Sequence, residues 1–148
     1  MTTAEPTPIH SSRDARAVAP PRRSTLNIVL WIVQVLLALL FIWAGSMKLV
    51  LPLEKLAGPV ALPGALVRFI GVAELLGGLG LILPSLLRIR PGLTPLAAAG
   101  LVIIMIGAVI ITLVGGGIGL AVIPGVTGLL AAFVAYGRWR LAPIHSKE

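Results

Sequence analysis

The chain has 148 residues, 57% of them hydrophobic and only 11% charged, and its mean hydropathy is +1.04. Soluble domains carry roughly 25% charged residues, so the polar surface needed for a water-soluble fold of this size is missing and an integral membrane protein is expected. The net charge of +7 does not imply nucleic acid, because the basic residues sit at the ends of apolar runs, the pattern of membrane orientation. Zero cysteines exclude disulfides, thiolate metal ligands and dithiol redox chemistry, so an electron-transfer role would need a bound cofactor or another subunit.

In chain order, residues 1–25 mix Pro, Ser, Thr, Ala and Arg without apolar periodicity and read as a disordered cytoplasmic tail. Arg22-Arg23 resembles a twin-arginine signal, but it reads better as the cytoplasmic anchor of the run that follows. That run, 26–50, is too long for a cleaved signal peptide and lacks a small-residue cleavage site. It is long enough to cross ~30 Å of hydrocarbon with some tilt. A loop carrying Glu54 and Lys55 leads to further apolar runs at about 66–87, 93–114 and 118–137. Thr94-Pro95 has the form of an N-cap followed by a first-turn proline. Pro124, inside the fourth run, is expected to kink it and free a carbonyl that can line a cavity, which makes it a secondary site candidate. Residues 138–148 form a C-terminal tail. The expected fold is all-α, a multi-pass four-transmembrane-helix bundle over 26–137.

Lys and Arg fall unevenly about these spans. Arg13, Arg16, Arg22, Arg23, Arg88, Arg90, Arg138, Arg140 and Lys147 lie on one side, and Lys48, Lys55 and Arg68 on the other. Nine against three puts both termini in the cytoplasm, with a bacterial plasma membrane as the expected location. Lipid tails are as apolar as Leu, so small residues and interhelical polar contacts must hold the helices together. The chain has 17 glycines. Small residues stand four apart at Ala73/Gly77, Ala121/Gly125 and Gly128/Ala132, serving either internal packing or a homo-oligomer.

Helical spacing places Gln34, Phe41, Gly45 and Lys48 on one face of the first span, and Gly71, Glu74 and Gly78 on one face of the second. A charge in hydrocarbon costs ~2.5–3.5 kcal/mol on insertion scales and normally faces protein or a water cavity. Glu74 lies about 12 Å into its span, too deep to reach water by itself. The two helices run antiparallel and side chains lean toward their own helix N-terminus, so Lys48 leans inward and Glu74 outward. A Lys48–Glu74 interaction is expected, direct or through water, with Gln34 joining from deeper in the bundle; the alternatives are a lysine that snorkels to the rim and a structurally buried carboxyl. Trp31, Trp43, Trp139 and Tyr136 read as interfacial or lipid-facing aromatics, and Arg68 as an anchor for the outer end of the second span. His10 and His145 both lie in the tails, so no intramembrane pair is present to ligate a haem. With no phosphate loop, nucleophile–base pair or metal cluster in view, an autonomous enzyme is not expected.

Several segments resemble the DoxX-like family of small four-helix bacterial membrane proteins. They are Ala44-Gly45-Ser46-Met47-Lys48-Leu49, the stretch from Gly71-Val72-Ala73-Glu74 to Leu83-Pro84, Thr94-Pro95-Leu96-Ala97-Ala98-Ala99-Gly100-Leu101 and Met105-Ile106-Gly107-Ala108. The likeness runs from about residue 28 to 137. It implies a compact four-helix bundle in a membrane and association with quinone-linked redox systems. Lys48, Glu74 and, in the first loop, Glu54 correspond to polar residues that recur in the family pattern. The end of the third span departs from that pattern. Relatives often show a histidine and a basic turn where this chain has Thr112 and Gly115-Gly116-Gly117.

The leading expectation is a non-catalytic subunit or accessory factor of a membrane oxidoreductase complex, with quinone as the expected ligand near Lys48, Glu74, Gln34, Gly45 and Gly78. The alternatives are a small proton-coupled transporter using Glu74, since an intramembrane carboxylate can switch between neutral and charged forms, and a structural membrane scaffold.

Overall fold

The computed structural model describes residue 1 and residues 22–58, 60–90 and 92–144. Of the tail expected over residues 1–25, residues 2–21 fall outside the described residues, as do both histidines, while residues 22–25 are helical rather than disordered. Four helices follow one another: α1 (Arg22–Val50), α2 (Gly64–Leu87), α3 (Leu93–Val114) and α4 (Val122–Tyr136). A single 3₁₀ turn, Leu53–Leu56, sits in the first loop, and a π-helical turn, Gly137–Leu141, continues α4. With that turn included, all four are long and apolar enough to cross a membrane. The protein is a multi-pass membrane protein, and its described residues contain no strand.

Two boundaries differ from the hydropathy pattern for backbone reasons. α1 starts at Arg22, ahead of the apolar run, because a helix satisfies its backbone internally and extends into the polar interface at no cost in hydrogen bonds. α4 starts at Val122, after the apolar run has begun, because the three glycines stop α3 with a defined cap. Gly116 takes φ +77, its N–H donates to Leu113 O at 3.0 Å, and Gly117 N–H donates to Thr112 O at 2.9 Å. These are the paired bonds of a Schellman ending, which needs the left-handed residue that glycine supplies.

The later start of α4 corrects the reading of Pro124. It stands in the first turn of α4 rather than mid-helix. Leu120 O, the carbonyl its missing N–H would have served, accepts from Ile123 N–H at 3.3 Å. No carbonyl is freed there, and a proline in the first turn removes no bond the helix needs, so the physical ground for a kink is gone. The proline inside a helix is Pro84 of α2.

α1 packs most extensively against α2, and α3 against α4; α2 also packs on α3, while α1 and α4 touch lightly. The centre is apolar, built of Leu37, Ala38, Phe41, Leu81, Ala98, Leu101, Met105, Ala131 and Val134. Glycines line the contact between α1 and α2. A Cβ on Gly45 would stand 2.6 Å from Gly71 O, and one on Gly78 would stand 3.0 Å from Ala38 O, so these glycines let the two backbones touch.

Candidate functional site

Two polar clusters occupy opposite ends of the bundle. The first lies at the end that carries the α1–α2 loop. Gly45 and Gly71 bring the helices together there, and Lys48 Nζ donates to Glu74 Oε2 at 2.7 Å. The Glu74 side chain is 4% exposed and that of Lys48 30%. One of the three N–H donors of the ammonium is engaged by Glu74, which leaves two for other acceptors. Arg68, expected to anchor α2 in the outer interface, instead ties off α1. Its Nη1 donates to Lys48 O, and its Nη2 to Leu51 O at 2.9 Å. A cation on the last carbonyls of a helix opposes the negative end of its dipole, so Arg68 holds the backbone that carries Lys48. Gly45 and Gly78 flank this pair as packing positions. Glu54 is exposed in the 3₁₀ turn of the first loop.

Gln34 does not join Lys48 and Glu74. It lies 14 positions earlier on α1, roughly 21 Å along the axis, and organises the second cluster at the end where α1 begins and α4 finishes. Its Nε2 donates to Leu81 O and, at 3.0 Å, to Ser85 Oγ. The acceptor Leu81 O lies one residue beyond Gly80 O, the carbonyl left without a helical donor by Pro84. Ser85 Oγ lies 2.7 Å from Thr94 Oγ1. Thr94 is fully buried and its hydroxyl is spent on Ser85, so it does not cap α3 as the Thr-Pro pair suggested; the cap position belongs to Gly92, without a side-chain bond.

Arg138 completes this cluster. Its Nε donates to Gln34 Oε1 at 2.9 Å and its Nη1 to Asn27 Oδ1 at 2.6 Å, while its guanidinium carbon stands 5.2 Å from the Trp31 ring centroid. From the sequence, Arg138 is expected in the C-terminal tail and Trp31 among the interfacial or lipid-facing aromatics. Arg138 is in fact 3% exposed, held inward by the π-helical turn in which Ala142 N–H reaches back to Gly137 O at 2.8 Å. One signal was available. Thr127, Ala131 and Val134 form the buried stripe of α4, and Arg138 falls next on it at helical spacing. Trp43, Tyr136 and Trp139 are exposed, at 62%, 60% and 68%.

Among the described residues no group of His, Cys, Asp or Glu could hold a metal ion. Chemically, the Lys48–Glu74 cluster offers an ammonium with spare donors beside a shielded carboxylate, and the Arg138 cluster a guanidinium on neutral partners. The chain matches none of the curated proteins and none of the solved structures with which it was compared. The model of the DoxX-like family matches residues 32–134, a stretch that takes in Lys48, Glu74, Gln34, Ser85 and Thr94 but ends before Arg138. Since the match covers most of the chain and reaches all four apolar helices, the protein belongs to the DoxX-like family.

Proposed function

We propose that this DoxX-like protein is a non-catalytic subunit or accessory factor of a quinone-linked redox system in a bacterial plasma membrane, with both ends of the chain in the cytoplasm. The observation that supports the reading is the Lys48–Glu74 pair, 2.7 Å apart, with Glu74 shielded and Lys48 partly exposed. A quinone dissolves in the bilayer and presents carbonyl oxygens as its only strong hydrogen-bonding groups. An ammonium with unused donors at an apolar surface complements such a carbonyl, and Glu74 keeps the charge neutralised while the site is empty.

The test is mass spectrometry of the protein gently extracted from its native membrane. The expected result is bound quinone together with a companion oxidoreductase chain. Quinone should be lost in the double variant Lys48→Met/Glu74→Gln, which leaves no stranded charge. Recovery of neither quinone nor an oxidoreductase would overturn the reading. So would pH-driven flux of cationic dyes in reconstituted vesicles that Glu74→Gln abolishes, because Glu74 would then carry protons for transport.

A further inference from the structure

The end of the bundle remote from Lys48 and Glu74 holds a cavity of about 410 Å³. Its walls are Pro95 and Leu96 in the first turn of α3, Arg138 and Trp139 of the π-helical turn, and Pro143 and Ile144 beyond it. Arg138 is the charged group among them, and its bonding is incomplete. Gln34 and Asn27 hold Nε and Nη1, but Nη2 is buried and has no hydrogen-bond partner among the described residues. The partners that Arg138 does have are neutral amides, so they fix its orientation without balancing its charge. A buried guanidinium nitrogen without an acceptor is costly, and the missing acceptor is best supplied by an oxyanion.

The surroundings favour the same ligand. Gly92, which opens α3, also lines the cavity, so the positive end of that helix dipole adds to the guanidinium. The loop leading into it carries Arg88 and Arg90, both exposed and both in the left-handed region at φ 53 and φ 45. The rim is apolar, with Leu96 64% and Trp139 68% exposed, a surface suited to acyl chains rather than water. We propose that this cavity binds the phosphate of an anionic membrane phospholipid, with the Arg138 guanidinium as donor and the acyl chains lying against Leu96 and Trp139. The site is independent of the quinone-linked role, since it shares no residue with the Lys48–Glu74 pair.

Native mass spectrometry of the full chain, offered phosphatidylglycerol and phosphatidylcholine of equal chain length, tests this. Thermal unfolding with inorganic phosphate alone forms a third arm. Phosphatidylglycerol should be retained about five-fold over phosphatidylcholine, the effect of roughly one cation near an anionic headgroup. Arg138→Lys, which loses the guanidinium fork, should reduce that preference. Leu96→Glu sets a carboxylate at the cavity without touching the bonds from Arg138 to Gln34 and Asn27, and it should abolish the preference at an unchanged unfolding temperature. Equal retention of the two lipids by the unaltered protein would overturn the proposal, as would a preference that survives Leu96→Glu. Protection by inorganic phosphate with no lipid preference would make the ligand a soluble anion and overturn the lipid assignment.

Discussion

At the scale of single residues, the two clusters differ in how visible they were before folding. Lys48 and Glu74 sit in consecutive antiparallel helices, so helical rise and the lean of side chains brought them within reach on paper, and the structure has them 2.7 Å apart. Their coupling is measurable. Removing one partner of a shielded pair strands the other, whereas removing both does not. We expect Lys48→Met and Glu74→Gln each to lower stability in detergent, and the double variant to recover part of the loss. The coupling should be on the order of 1–2 kcal/mol, within the range for contacting residues; additive losses would mean that the pair contributes nothing. The Gln34–Arg138 contact was not legible in the same way. It joins residues 104 positions apart, across the first and last helices, and a terminal arginine is ordinarily an orientation signal. Only the buried stripe of α4 betrayed it.

Among the helices, hydropathy gave existence and order, while glycine and proline chemistry decided the boundaries. Three successive glycines stood out as a turn, but their Schellman bonds, and hence the shift of α4 that moves Pro124 into its first turn, depend on the backbone adopting φ +77 at Gly116. The count of small residues likewise left open which ones meet. The structure separates them: Gly45 faces the α2 backbone, whereas a Cβ on Gly107 would meet nothing within 4 Å. Gly45→Val should therefore push α1 from α2 and cost about 1–3 kcal/mol, as overpacking does. Gly107→Ala should be neutral or add about 0.5–1 kcal/mol through helix propensity. Denaturation midpoints in SDS–detergent mixtures check both. Equal effects of the two substitutions would mean that the α1–α2 contact does not hold the bundle together.

For the whole molecule, four apolar runs in so short a chain left little choice of fold, since backbone groups in lipid must be satisfied within each helix. Orientation rests on the distribution of Lys and Arg and is open to direct measurement. The chain has no cysteine, so Glu54→Cys and Arg140→Cys each provide a single thiol. A membrane-impermeant maleimide should reach the first from outside the cell and the second only after the membrane is opened; the reverse pattern would invert the topology. Wherever the ends lie, the midsection constrains traffic between them. Over the roughly 21 Å that separate Lys48 from Gln34, the core side chains Leu37, Ala38, Phe41, Leu101 and Met105 carry no nitrogen or oxygen, so none of them can hand on a proton. A proton taken up at Glu74 therefore finds no relay among these side chains toward Gln34 and Arg138.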